Sequence, residues 1–264
     1  MFLGIDIGNT TTMIGLYGDD SVSPEKTNRY RTDKKSNDPD LVKCIGMSLR
    51  NMGDFDSIAA EITGMAFSSV VPEINPVYHR IGKKLFNVEP FEIRYDSKFP
   101  IGINYRDVRK LGIDRIVNTV AAHREYGDGC VVIDIGTAAT FDVLNHDGSF
   151  DGGLISPGIG TTIKALAESA SNLPEVAFGK PDRLVALDTE NAIKSGFYYG
   201  WISLIEGVVR RIEKVYNREY RVVLTGGFAG KIAPGIERKI ILDPLLTMKG
   251  IRYIYNYRQH DRSF

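Results

Sequence analysis

Two stretches of the sequence, Ile5-Asp6-Ile7-Gly8-Asn9-Thr10-Thr11-Thr12 and Ile133-Asp134-Ile135-Gly136-Thr137-Ala138-Ala139-Thr140, lie 128 positions apart and repeat one order of residue types. An acid between isoleucines is followed by glycine and then by hydroxyl side chains. This order suits a phosphate-binding turn, where backbone N–H groups converge on an anion and only short side chains leave room for it. Alternation along a strand puts acid and glycine on the face opposite the isoleucines. A carboxylate beside phosphates repels them unless a cation intervenes, so Asp6 and Asp134 imply Mg²⁺ or a monovalent ion close by. Either stretch alone also reads as an ordinary hairpin turn; recurrence of the pattern in register favours the phosphate reading.

Asp114 follows Gly112-Ile113 at the predicted start of a helix and precedes Arg115. One role is a helix cap satisfying free amides; the other is a general base, with Arg115 holding an anionic group beside it. The residues alone leave both open. Thr225-Gly226-Gly227 after an apolar strand lets backbone approach a flat ring closely, and equally makes a simple turn. Gly152-Gly153 and the run from Ser156 to Thr162 form a glycine-rich approach to a helix, without the lysine of a P-loop or the spacing of a dinucleotide fingerprint. His79, His123, His146 and His260 show no metal-ligand spacing and no serine elbow accompanies them, which disfavours zinc catalysis and hydrolase triads. Tyr198, Tyr199 and Trp201 read as core.

The elements that must position these residues follow from periodicity. In each half an alternating run (Leu3, Ile5, Ile7; Val131, Ile133, Ile135) leads through the turn into a second apolar run (Met13 to Tyr17; Phe141 to Leu144), predicting paired strands. In the first half, Asp38-Pro39 predicts a capped helix running to Gly53, residues 65–71 a buried strand stopped by Pro72, and Asn75-Pro76 another helix. A helix from Gly112 to Gly127 carries the boundary between the halves. In the second half, a long helix to Tyr216 has Thr189 as its expected N-cap, residues 221–225 form a strand, and a helix from Pro244 to about Tyr257 is expected to pack back on the first half.

Composition sets the outer limits. The 264 residues are 43% hydrophobic and 25% charged, within the range of globular proteins, with 33 basic against 33 acidic side chains and a pI near 6.9. No global field draws the chain to nucleic acid or to anionic lipid. Cys44 and Cys130 are far apart in apolar stretches, which fits a reducing, cytoplasmic setting. Neither a signal peptide nor a membrane-spanning run is expected.

With these residues in place, the sequence resembles the type III pantothenate kinases, of the acetate kinase, sugar kinase, heat-shock chaperone and actin superfamily. The family's motifs match at Asp6-Ile7-Gly8-Asn9-Thr10, Ser69-Val70-Val71-Pro72, Gly112-Ile113-Asp114-Arg115, Asp134 to Thr140, Gly152 to Gly158 and Thr225 to Gly227, in the family's order. The resemblance implies a duplicated actin-like, ribonuclease H-like α/β fold with lobes at 1–116 and 117–264 and a central nucleotide cleft. It implies transfer of the ATP γ-phosphoryl group to pantothenate, with Mg²⁺ and K⁺ or NH₄⁺ as cofactors, by a homodimer that binds pantothenate near its subunit interface.

Carried over by position, the resemblance places the general base on Asp114 and the monovalent-cation ligand on Asp134. ATP contacts fall on Asp6, Ile7, Gly8, Asn9, Thr10, Thr11, Thr12, Met13 and Thr137, and pantothenate contacts on Tyr105, Gly112, Ile113, Asp114, Arg115 and Thr189. Two residues depart from the family: Ala139 replaces a threonine of the second phosphate motif, implying one hydroxyl fewer beside the phosphates, and Ala186 replaces a glycine. A non-catalytic regulator on the same fold is a rival expectation that Asp114 and Arg115 argue against. An actin-like ATPase is another, distinguished by hydrolysing ATP without pantothenate.

Overall fold

The computed structural model describes residues 1–260, with side chains through Arg258, so the side chain of His260 lies outside the described residues. The first unit, residues 1–124 with 245 onward, holds β1 (Phe2–Ile7), β2 (Thr11–Tyr17), β3 (Lys26–Arg31), α1 (Asp38–Met52), α2 (Phe55–Glu61), β4 (Gly64–Ser69), α3 (Asn75–Phe86), β5 (Phe91–Glu92), the two-residue β6 (Gly102–Ile103) and most of α4 (Ile113–Tyr126). The second unit, residues 125–244, holds β7 (Cys130–Ile135), β8 (Ala138–Leu144), β9 (Ser149–Pro157), α5 (Ile159–Ser169), α6 (Thr189–Tyr216), β10 (Arg221–Thr225), α7 (Ala229–Ile232) and β11 (Ile240–Leu242). The chain then returns to the first unit as α8 (Leu246–His260). The division falls at the last turn of α4; a boundary at 116/117 cuts that helix, whose Ile116, Val117 and Val120 are buried as one packed face.

The order in the first unit is β3-β2-β1-β4-β5, and the second unit's own strands run β9-β8-β7-β10-β11. In both, the outer hairpins are antiparallel, while the central strand pairs in parallel with the strand reached after a crossover. This is the duplicated α/β arrangement expected from the two Ile-Asp-Ile-Gly runs. Leu3, Ile5 and Ile7 point into a core with Leu41, Ile45, Phe67 and Tyr78, and Val131, Ile133 and Ile135 into a second core with Phe141, Trp201 and Ile205. Each such side chain contributes roughly 1.5–3 kcal/mol on burial. Tyr198 and Trp201 are core residues, as expected, and Tyr199 packs against the same cluster.

The opposite face of β1 is covered by α8. The Tyr17 hydroxyl donates to the Met248 carbonyl at 2.7 Å, and the Phe2 ring lies 4.6 Å from that of Tyr255. A Cβ on Gly15 would stand 2.8 Å from the Met248 methyl, so the helix seats where the strand lacks side chains.

Two helix starts differ from the sequence expectation. The cap of α1 is Asn37, which accepts from the Asp40 amide while Asp40 reaches back to the Asn37 amide; this reciprocal box places Asp38 inside the helix and proline at its second position. The cap of α6 is Asp188, whose carboxylate accepts from the Asn191 amide at 2.9 Å, so Thr189 is the first helical residue. A carboxylate also complements the helix dipole, which a threonine does not. Both cysteines are free thiols, and among the described residues no helix is long and apolar enough to cross a membrane.

Candidate active site

In the first unit, β1 ends at Ile7 and the chain turns through Gly8, Asn9 and Thr10 into β2. The Gly8 amide donates to the Thr11 carbonyl at 3.1 Å, and a Cβ on Gly8 would stand 2.9 Å from that oxygen. The turn is held by the Thr32 amide donating to the Thr10 carbonyl, by Lys34 Nζ donating to Asn9 Oδ1 at 2.8 Å, and by a buried hydroxyl pair, Thr12 with Thr32, at 2.8 Å. Asn9, Thr10 and Thr11 are exposed, Asp6 and Gly8 half-buried, and Ile7, Thr12 and Met13 buried within the strands.

In the second unit the turn after β7 closes by the Gly136 amide donating to the Ala138 carbonyl at 2.9 Å. The approach of α5 buttresses it: the Gly158 amide and the Thr161 hydroxyl both donate to the Thr137 carbonyl, at 2.9 and 2.7 Å. A Cβ on Gly158 would enter the Gly136 carbonyl oxygen and come within 2.8 Å of the Thr137 oxygen. From the other side Gly226, at φ +94°, lies against Asp134; a Cβ there would meet the Asp134 carboxylate and stand 2.6 Å from the Ile135 amide. The glycine-rich run and Thr-Gly-Gly thus meet at one turn within one unit, at the carboxyl ends of parallel strands β7 and β10, where α/β sheets bind ligands. Thr137 and Ala138 are exposed and Asp134 half-buried. Ala139 pairs with Ile135 and is fully buried in the core, so the hydroxyl that the family carries there would face the core rather than the open side of the turn.

Asp114 is the second residue of α4. Its Oδ1 accepts from the adjacent Arg115 amide at 2.9 Å, and a Cβ on Gly112 would stand 2.5 Å from the same oxygen, so the carboxylate folds over the glycine. Burial pushes its carboxyl above the usual range, while the Arg115 amide and guanidinium pull it down. Ile113 and Arg115 are buried, and the Thr119 hydroxyl donates to the Arg115 carbonyl at 2.8 Å. Tyr105 is exposed in the first unit, and Thr189 is exposed at the start of α6 in the second.

At Gly8 and Gly158 a Cβ would strike turn backbone, so both turns pack more closely than another residue would allow. Among the described residues no three His, Cys, Asp or Glu side chains cluster as a metal site. Magnesium bound through one or two carboxylates, water and nucleotide phosphates requires no such cluster, and Asp6 at the end of β1 fits that role. The strand reading of residues 65–71 passed over Ser68. Parallel register sets it directly beside Asp6, and the only sequence signal is a pair of serines closing an apolar run. Lys34 gave no signal.

Two solved structures share the fold over nearly the whole chain. One, described as a Baf family transcriptional activator from Campylobacter jejuni, has a TM-score of 0.61 at 20% identity and covers 98% of this chain and 99% of its own. The other, an activator of 2-hydroxyisocaproyl-CoA dehydratase from Clostridium difficile with bound ADPNP, has a TM-score of 0.56 at 12% identity, covering 99% and 97%. At such identities the likeness concerns architecture alone, a duplicated α/β fold with the same strand order in each unit. The sequence signature described as type III pantothenate kinase matches residues 2–211. The type III pantothenate kinase of Sulfurihydrogenibium sp. (strain YO3AOP1) is 36% identical over 257 residues, spanning 97% of this chain and all of that protein. The chain belongs to the type III pantothenate kinase family.

Proposed function

We propose that this protein transfers the γ-phosphoryl group of ATP to the primary hydroxyl of pantothenate, giving 4′-phosphopantothenate, the first step of coenzyme A biosynthesis. The observation that carries this reading is Asp114, a carboxylate held over Gly112 and made more basic by burial, at the family's Gly-x-Asp-Arg position. Phosphoryl transfer passes through a loose transition state, so positioning and charge neutralisation supply most of the rate. Asp114 accepts the hydroxyl proton as the new P–O bond forms, and its raised proton affinity favours that transfer. Arg115 orients the substrate's carboxylate or polar groups, with Tyr105, Gly112, Ile113 and Thr189 completing the pantothenate contacts.

The turn at residues 6–13 and Thr137 hold the nucleotide. Asp6 would hold Mg²⁺, and Asp134 a monovalent cation, K⁺ or NH₄⁺. These cations supply neutralisation of phosphate charge. The active form is inferred to be a homodimer working in the cytoplasm.

A coupled ADP-release assay with and without pantothenate tests the reading. ADP release that depends on pantothenate is expected. Equal release in its absence would leave an actin-like ATPase instead.

A further inference from the structure

Ser68 is fully buried, at 0% exposure, and its Oγ has no hydrogen-bond partner among the described residues. A buried hydroxyl left in that condition forfeits the bonds it made with water. Its place in the sheet is specific. Parallel register pairs Ser68 with Asp6, and directly paired residues of adjacent strands project from the same face about 4.8 Å apart. On that face the neighbours one step back are Gly4 and Ala66, and the buried Tyr17 ring packs over the glycine, 2.9 Å from where its Cβ would stand. The second unit repeats the device: β10 stands to β7 as β4 stands to β1, and Thr225, also buried, pairs with Asp134. Two strands far apart in sequence thus each set a hydroxyl residue against the acid of an Asp-Ile-Gly turn.

We propose that Ser68 is a positioning residue for the divalent cation at Asp6, its hydroxyl engaging the water shell that the cation and the Asp6 carboxylate share. This rests on the reading of Asp6 as the cation-side acid. An acceptor or donor beside a carboxylate fixes the orientation in which it meets a hydrated ion, and loss of such a partner typically costs about 10–100-fold in metal affinity. Asp6 supplies the charge; Ser68 supplies direction.

The test is a Mn²⁺ titration followed by electron paramagnetic resonance, using the full chain with a non-hydrolysable ATP analogue, on wild type, Ser68→Ala, Ser68→Thr and Asp6→Asn. Ser68→Ala is expected to weaken Mn²⁺ binding by about tenfold. Its melting temperature should stay unchanged or rise, because an unpartnered hydroxyl has been removed. Ser68→Thr, which keeps the hydroxyl, should restore the affinity. A Ser68→Ala titration that overlays wild type, while Asp6→Asn weakens binding, overturns the role of Ser68 alone. Overlay of both variants on wild type overturns the cation reading of Asp6 and the proposal with it. Weakened binding in Ser68→Ala that Ser68→Thr does not restore also overturns it, since the hydroxyl would not be what matters.

Discussion

The two Asp-Ile-Gly hairpins share strand order and chemistry but differ in length by one residue. Phe2 pairs with Tyr17 and Asp6 with Met13 in the first; Cys130 pairs with Leu144 and Asp134 with Thr140 in the second. The β1 turn therefore has one residue more, and the register that aligns the acids does not align the hydroxyls beyond the turn. Thr12 corresponds in space to Ala139, both facing a core, while Thr140 occupies the place of Met13. Their supports differ as well. The first turn is held by the side chains of Lys34 and Thr32 and one loop amide, the second by Gly158, Thr161 and Gly226 packed against its backbone. Duplication preserved what the strands dictate, and each unit acquired its own way of stiffening the turn.

Asp114 stands outside both hairpins, so the proposed base can be altered without touching either turn. Asp114→Asn is expected to lower kcat by about 10²–10⁴-fold while leaving ATP affinity unchanged in calorimetry. A loss expressed in ATP affinity would instead tie α4 to the turns. The same residue sets a pH dependence. Its folded proton affinity is raised above the ordinary 3.8, so the acid limb of kcat/KM should lie above that value and vanish in the variant. Because the raised affinity penalises the charged form, its contribution to stability is present below pH 3.8 and is lost as pH rises through the folded value. Asp114→Asn should then melt no lower than wild type at neutral pH, a result that scanning calorimetry at several pH values can contradict.

The difference in support gives the next largest effect. Gly158→Ala forces the start of α5 off the second turn and is expected to cost the upper part of the ~1–3 kcal/mol typical of overpacking, whereas Gly8→Ala meets one backbone oxygen at 2.9 Å and should cost the lower part. Urea denaturation of the pair measures this directly, and equal losses would mean that both turns are equally backbone-locked. Smallest is the division of cations. Asp134→Asn should abolish activation by K⁺ or NH₄⁺, about a tenfold loss in rate, while the Mg²⁺ dependence stays as in wild type. Asp6→Asn should do the reverse, and rates in Na⁺-only buffer equal to those in K⁺ would remove the assignment at Asp134.

Much of this was legible before the structure. Period-2 alternation and self-similarity marked β1, β2, β7 and β8, because the large apolar residues of β1 and β7 recur at every second position on the face that meets each core. The turns declared themselves through glycine, which a close backbone approach requires. The one-residue slip was hidden, since a residue gained inside a turn leaves the flanking patterns intact. The caps at Asn37 and Asp188 were missed by one residue each: Pro39 drew the expected start of α1 one place late, and Thr189 competes with an equally good capping acid beside it. Lys34 left no signal and Ser68 only a faint one, because their relation to Asn9 and Asp6 is made across loops and strands rather than along the chain.

The return of α8 to the first sheet has a bearing on biogenesis. During synthesis, residues 125–244 form a contiguous stretch able to complete its own packing once it leaves the ribosome, whereas β1, made first, waits for Met248 and Tyr255 to arrive before Tyr17 and Phe2 are covered. The half translated earliest is the half finished last, and ribosome-stalled chains ending before residue 245 should leave that half more open to protease than the other.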